Sequence, residues 1–337
     1  MQQKLPETGI IVVADSFDYD ANTLSWADRR IDRPHSMYIQ EMLDAFRERF
    51  SRVVWYENPN DFVRNLPMHS DDVVVPYWFG QDSRNRHALV PAICEAAGIR
   101  YIGGDVYTKT ISNDKALSKA LCRQAGLRVA DGLVVFDEHD LLALRDLNYP
   151  CVAKPIFEGT SLGISQNNIV EDVSSAQLLA ISLLKEFKQP VIVEEFLSGR
   201  EVSICLLGYG DYVRMWHAAE RYVMGDDDYF LKNLYSFSEK KSDAFDLRLR
   251  SVKSEIPEAV YTACHRLFTW LDKVEYIRID GKLSAKGFAV IELTPETHLG
   301  ANAEFCGTMA FEGVNYPDLL ATMIENSLER YRSLDAS

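Results

Sequence analysis

No two of the six cysteines (94, 122, 151, 205, 264 and 306) form a Cys-x-x-Cys pair. That excludes the common zinc and dithiol motifs, and small buried apolar residues in a reducing compartment are expected instead. No uninterrupted apolar run approaches the length of a membrane span. The opening Met-Gln-Gln-Lys-Leu-Pro-Glu has no apolar core like that of a secretory leader, so a cytoplasmic protein is expected. Positive charge is in deficit: 36 Lys and Arg against 50 Asp and Glu give a net charge of −14. Such a balance works against broad contact with nucleic acid and leaves room for a local basic pocket that takes a small anion. Two familiar glycine-rich nucleotide motifs are also missing, Gly-x-Gly-x-x-Gly after a strand and Gly-x-x-x-x-Gly-Lys-Ser/Thr. No repeat or low-complexity tract interrupts the 337 residues, 47% of them hydrophobic, which suffices for two or three packed units.

Hydrophobic periodicity predicts an α/β chain. Residues 9–14, 53–56, 72–76 and 101–102 read as strands, alternating with helices at 37–50 and 87–97. The first helix carries Ile39, Met42, Leu43, Phe46 and Phe50 on one stripe, and the second stops at Gly98. Alternation of this kind implies a small parallel sheet covered on both faces. An α+β block follows, with helices at 114–125, 139–147 and 174–187 and strands at 133–136, 151–154 and 191–196. The remainder predicts a strand at 201–207, a long loop across 223–250, a helix at 256–271, a hairpin of 276–283 with 287–293, and a closing helix at 316–331. Expected boundaries give an N-terminal α/β unit (1–108), a central lid (109–196) and a C-terminal α+β unit (197–337).

Two places carry chemistry. The segment 149–165 delivers Lys154 on a short apolar strand, then runs through Pro155 into Glu158-Gly159-Thr160-Ser161-Leu162-Gly163. A fixed cation beside exposed backbone N–H groups suits a polyphosphate, and Gly159 and Gly163 let the backbone approach its oxygens. A plain surface hairpin loop reads equally well from this segment alone. On the hairpin, Asp280 and Glu292 sit in otherwise apolar strands. Paired strands bring two such carboxylates onto one face, where either a divalent ion or Arg278 would compensate them.

The order of these residues adds a third line. Lys115, Lys154 with its flap, Glu194–Leu197, Gly-Arg-Glu201, Lys240, Arg278-Ile-Asp280 and Glu292 follow one another in the chain. The stretches Tyr-Ile-Gly-Gly…Ser-Asn-Asp-Lys-Ala-Leu-Ser-Lys (101–119), Ala-Lys-Pro…Glu-Gly-Thr-Ser-Leu-Gly-Ile-Ser (153–165), Val-Glu-Glu-Phe-Leu-Ser-Gly-Arg-Glu-Val-Ser (193–203) and Arg-Ile-Asp (278–280) resemble the ATP-grasp carboxylate–amine ligases. The likeness is to the D-alanine–D-alanine ligase branch and runs from about Tyr101 to the C-terminal helix. It implies an ATP-grasp fold with ATP between the central and C-terminal units. Lys115, Lys154 and Lys240 would then reach phosphates under a flap that includes Glu158, Gly159 and Ser161. Glu194, Glu195 and Leu197 would line adenine, and Glu201 would hold the ribose. Arg278 would steady developing negative charge, while Asp280 and Glu292 would bind Mg2+ or Mn2+. Thr294 stands where the family has a metal-binding Asn, and Glu296 is placed to compensate.

The implied reaction passes through an acyl phosphate that an amine attacks. The substrate-facing motifs depart from the family: the first strand leads into Ala-Asp-Ser-Phe-Asp-Tyr-Asp-Ala-Asn (14–22), and Asn302-Ala303 replace a small hydroxyl residue. This predicts a ligase for another carboxylate and amine, as in a natural-product or amino-acid conjugate. The alternatives are a cell-wall D-alanine–D-alanine ligase and a non-catalytic nucleotide-binding protein. Asp15, Asp18, Asp20, Tyr77-Trp78-Phe79, His298 and Asn302 are the candidate substrate contacts, and a homodimer is the oligomer that the resemblance implies.

Overall fold

The structure, a computed structural model, describes residues 8–18, 25, 27–80, 83–236, 239, 245–295 and 297–335. Lys240, Glu296 and Asp20 lie outside the described residues.

Short runs of β-branched residues make the first sheet. β1 (Ile10–Val13), β2 (Val53–Tyr56), β3 (Val73–Pro76) and β4 (Arg100–Tyr101) lie parallel in the order β2-β1-β3-β4. β1 and β3 are buried along their whole length, which is why they read IIVV and VVVP without polar alternation. The helix Ser36–Arg49 covers one face through Ile39, Met42, Leu43 and Phe46. The helix Leu89–Ala97 covers the other through Val90 and Cys94, and ends at Gly98 in the left-handed conformation.

β5 (Arg128–Val129) joins the last sheet, as described below. β6 (Gly132–Val135), β7 (Cys151–Pro155), β8 (Ile169–Val170) and β9 (Val191–Glu195) form an antiparallel sheet ordered β6-β9-β7-β8. Helix Val173–Phe187 packs on it through Ala176, Ala180, Leu183 and Phe187.

The third sheet, ordered β12-β11-β10-β13-β14-β5, contains β10 (Arg200–Tyr209), β11 (Tyr212–Val223), β12 (Leu247–Ser251), β13 (Tyr276–Ser284) and β14 (Gly287–Thr294). Its strands are antiparallel except where β5 runs beside β14. One apolar cluster joins it to the helices Glu258–Leu271 and Lys115–Ala125. Another joins Cys205, Leu207 and Tyr276 to Phe46, Val73 and Ile324. The first and third sheets therefore share a core, whereas the middle sheet packs on its own helix. All six cysteines are buried and unpaired, as expected.

Several expectations need correction. The segment expected as an α-helix at 139–147 is a 3-10 helix, Glu138–Asp146. The helices Pro59–Asn65 and Val106–Asn113 were not legible in the sequence pattern. The stretch 223–250 is not one loop, because it holds a short helix at Tyr229–Lys232 and the strand β12. β11 mixes Arg, His and Glu with apolar residues, so periodicity concealed it. The structure answers those charges with partners: Glu220 on β11 pairs with Arg200 at 2.9 Å and Arg250 at 2.8 Å.

Candidate active site

A cavity of about 450 Å³ opens where the middle and third sheets face the N-terminal segment around Asp32–Tyr38. Lys115, Lys154, Glu158, Gly159, Ser161, Glu194, Glu195, Leu197, Glu201, Arg278, Asp280, Glu292, Thr294, His298 and Asn302 all line it. Residues far apart in the chain thus meet in one space.

The cationic end is built by three lysines. Lys154 extends from β7 and its Nζ lies 2.7 Å from Glu194 Oε1 on the neighbouring β9. Lys119 reaches the same carboxylate at 2.9 Å and also donates to the Ile291 carbonyl at 2.7 Å. Burial alone would raise the Glu194 carboxyl, but Lys119 and Lys154 outweigh it and hold it down to about 2. Lys115 is the first residue of its helix, next to the capping side chain of Asp114, which accepts from the Ala116 and Leu117 amides. A cation at a helix start opposes the helix dipole, yet this one is buried and donates to the Glu158 carbonyl. Burial brings its pKa down to about 8, with Glu292 opposing and Lys154 adding to the fall. Lys115 and Lys154 put two ammonium groups on the cavity wall, and this end suits an anionic tail.

A pH dependence follows from Lys115. Its ammonium is charged below about pH 8 and neutral above. ATP binding above that pH is expected to take up a proton, and affinity is expected to fall by up to about tenfold per pH unit. Calorimetry of ATP binding in buffers of different ionisation heat reads the proton directly, and Lys115→Met should abolish the uptake. Affinity that stays flat from pH 7 to 9.5 would remove Lys115 from phosphate binding.

The flap is a tight turn in which Thr160 (φ 50) and Ser161 (φ 59) are both left-handed, closed by Leu162 N–H to Gly159 O at 2.8 Å. That conformation is uncommon for a β-branched residue. Tethers on both sides hold it: Thr160 Oγ1 donates to Asp32 at 2.6 Å, and Ser161 Oγ donates to the Tyr235 carbonyl at 2.8 Å. Two sequence expectations change here. The Glu158 carboxylate does not face the nucleotide end but accepts from Arg29 at 2.9 Å and Gln189 at 2.6 Å, bracing the flap. Gly163 is required by packing rather than by an approaching phosphate, since a Cβ there would meet Phe187 at 2.7 Å and Pro155 at 2.8 Å with φ at +72.

The hinge leads from β9 to β10. The amides of Glu195 and Phe196 are bonded to Asp131 and Pro150 carbonyls at 2.8 and 3.0 Å. Of the expected adenine contacts, Glu195 therefore has its amide engaged by the fold itself. Glu194 contributes its carboxylate to the lysines rather than to this hinge. Glu201 is paired with Lys282 at 2.8 Å, and burial pushes its carboxyl up against that pull.

At the acidic end, Asp280 and Glu292 are direct cross-strand partners of β13 and β14. The register shifts just beyond them, between Asp280 and Gly281. This bulge breaks the alternation that the sequence suggested, so Ile291, Glu292 and Leu293 all line the cavity, and the Ile291 carbonyl meets Lys119. Arg278 grips Asp280 with two bonds of 2.7 and 2.9 Å, and Thr294 Oγ1 donates to the same carboxylate at 3.2 Å. Burial pushes the Asp280 carboxyl up, with Arg278 opposing. Among the described residues no group of three or more His, Cys, Asp and Glu converges as a metal cage. Two opposed carboxylates beside a polyphosphate site still fit magnesium, which takes one or two carboxylates and fills its remaining positions with phosphate oxygens and water.

The substrate wall is partly as expected. His298 stacks on Phe79 with ring centroids 5.0 Å apart and its Nδ1 is 3.2 Å from the Tyr77 hydroxyl. Asn302 joins it. Asp15 does not line the cavity; it is buried against the Phe79 amide (3.0 Å) and Arg33 (2.9 Å), and burial pushes its carboxyl up. Asp18 caps the helix at Ser36 instead of facing substrate. Sequence reasoning missed Lys119, Ser203, Arg221 and Glu304. Lys119 and Ser203 stood inside recognised motifs, but Ser203, Arg221 and Glu304 come together only through the pairing of β10, β11 and β13 with the turn at 303–304.

A lid sheet whose lysine faces the acids of a neighbouring hairpin across one cavity is the ATP-grasp arrangement. The D-alanine–D-alanine ligase of Bacillus anthracis complexed with ATP matches at TM-score 0.71 over 97% of this chain and 99% of that one, at 18% identity. The VanG D-Ala:D-Ser ligase of Enterococcus faecalis matches at TM-score 0.68 over 95% of this chain and 100% of its own, at 17% identity. In sequence, the D-alanine–D-alanine ligase of Mycolicibacterium gilvum is 29% identical over 270 residues, 77% of this chain and 71% of that protein. That of Mycobacterium avium is 28% identical over 77% of this chain and 70% of its own length. The model of the D-ala D-ala ligase C-terminus matches residues 121–325, and the chain belongs to that family.

Proposed function

We propose that this ATP-dependent, C–N bond-forming ligase activates D-alanine as the carboxylate substrate and joins it to an amine. The observation that carries the reading is the shared cavity of Lys115 and Lys154 with Asp280 and Glu292. The relatives' named activities favour D-alanine over the natural-product conjugate that the substrate-facing motifs suggested.

In the reaction so read, the lysines hold the ATP phosphates while a carboxylate oxygen attacks the γ-phosphorus and ADP leaves with the bridging electron pair. The amine nitrogen then attacks the acyl carbon. The acyl carbon–oxygen bond to phosphate breaks, inorganic phosphate departs with its electrons, and the nitrogen releases a proton to solvent. Arg278 faces the oxygens on which charge develops, and the flap tied to Asp32 and Tyr235 keeps water from the acyl phosphate. Magnesium held by Asp280 and Glu292, with Thr294 beside them, would supply charge neutralisation for the phosphates.

Hydroxylamine tests the first half alone, because it traps the acyl phosphate as a hydroxamate whatever the natural amine is. D-alanine, MgATP and hydroxylamine are expected to give D-alanine hydroxamate with equal release of ADP. Hydroxamate from another acid but not from D-alanine would overturn the choice of substrate. None from any acid would overturn the ligase reaction.

A further inference from the structure

The corner of the cavity beyond Asp280 contains two arginines, and the protein has already filled the space between them. Glu304 sits there, with Oε2 3.1 Å from Arg221 and 3.9 Å from Arg278. The Ser203 hydroxyl lies 2.8 Å from Glu304 Oε1 and 2.6 Å from Asp280 Oδ1, sharing one proton between two acceptors. Arg278 is also engaged by Asp280 and by Thr297 Oγ1 at 3.1 Å. Burial would raise the Glu304 carboxyl, but Arg221 and Arg278, with Ser203, hold it down to about 2, so it is an anion across the working pH range. Asn302, Ala303 and Glu304 all line the cavity, so this carboxylate is part of its wall.

Two guanidinium groups at the end of a cavity are what a substrate carboxylate needs. Here the protein provides the carboxylate. A second one arriving on a substrate would stand beside Glu304 and Asp280, and like charges in a partly desolvated site are strongly disfavoured. An ammonium, or an amine with a neutral neighbour, meets no such penalty.

We propose that Glu304 occupies the Arg221–Arg278 corner in place of a substrate carboxylate, so that the acceptor is an amine with no carboxylate beside its nitrogen: a simple primary amine, an amino amide or an amino ester. Glu304 is then a specificity residue that rejects free amino acids as acceptors by repulsion. This rests on the ligase reading of the same cavity.

The test uses the full chain with MgATP and D-alanine as donor, first with hydroxylamine and then with D-alanine, D-alaninamide or ethylamine as acceptor, with products detected by mass. Hydroxamate should form, and kcat/KM for D-alaninamide should exceed that for D-alanine as acceptor by about a hundredfold or more. Glu304→Gln keeps the shape and a polar group beside Ser203 but removes the charge. It should shift the D-alanine to D-alaninamide ratio by about tenfold or more towards D-alanine, chiefly through KM. That ratio, normalised to hydroxamate formation by the same preparation, is independent of how much of the variant is folded. Wild-type protein that makes D-alanyl-D-alanine as readily as the amide, or a Glu304→Gln ratio equal to the wild-type one, would overturn the assignment while leaving the ligase reaction intact. Absence of hydroxamate from D-alanine would remove D-alanine as the donor and this inference with it, and absence from every acid would remove the ligase reaction as well.

Discussion

Lys154→Ala is expected to lower kcat/KM for ATP by about 10²- to 10³-fold, with much the smaller part of the loss arising from instability. Lys154 is buried between β7 and the cavity, and among the described residues it forms its ion pair with Glu194, 2.7 Å away. Removing one member of a buried pair normally strands the other charge at a cost of about 3–5 kcal/mol. Glu194 is not stranded here, since Lys119 remains 2.9 Å from its other oxygen. The fold should therefore survive, and the deficit should appear where the charge is used, against the phosphates. Lys154→Met, which keeps the apolar stem, separates the two effects further: it should melt close to wild type and be as inactive as the alanine variant. Isothermal titration with ATP, hydroxamate formation and thermal unfolding on the same samples settle it. Wild-type turnover in the methionine variant would show that Lys154 serves only to neutralise Glu194.

The Glu194 cluster also sets an acid limit on stability. Its folded pKa, about 2, lies below its unfolded value. Between the two, the unfolded chain binds a proton that the folded chain refuses. The stabilisation is therefore complete above the unfolded pKa and is lost as the pH falls towards 2.

What the sequence revealed follows the physics of each element. β1 and β3 were legible because strands buried on both faces must be apolar throughout. Helices ending at Gly98 and Gly126 were legible because a left-handed residue is needed where they stop, and both glycines have positive φ. The lysine strand, the hinge and the acid hairpin were legible as motifs, and the cavity joins them. Contacts that depend on register were not. The bulge at Asp280–Gly281 decides which side chains of β14 face the cavity, and nothing in a pattern of alternating residues announces it. Asp15 was misread because its answering charge, Arg33, belongs to a segment whose path only the fold defines. Glu304 was invisible for the same reason: its partners are Ser203 on β10, Arg221 on β11 and Arg278 on β13.

Asp280→Asn decides between the two readings that the hairpin sequence left open, a divalent-ion site and a plain ion pair with Arg278. The asparagine keeps the volume but offers one acceptor oxygen, where the carboxylate now receives Arg278 twice, Ser203 at 2.6 Å and Thr294 at 3.2 Å. If Asp280 served Arg278 alone, the loss would register as stability. Its size would be tempered because Glu304, 3.9 Å from Arg278, still supplies negative charge. Activity per folded molecule would then fall little, and the magnesium concentration for half-maximal turnover would not move. If Asp280 holds the cation, the charge lost is one of two carboxylates that an oxygen-seeking ion needs. Turnover should then drop by about 10³-fold at millimolar magnesium, a loss typical of removing a charge aimed at the transition state. The half-saturating magnesium concentration should rise by at least about tenfold, by analogy with the loss of a group that supports a metal. Titrating magnesium and manganese against hydroxamate formation, with the melting temperature of each sample, gives both quantities. An unchanged metal requirement combined with a lower melting temperature would return Asp280 to the role of a salt-bridge partner. Glu292, opposite it in register, would then lack the second carboxylate that makes the hairpin a cation site.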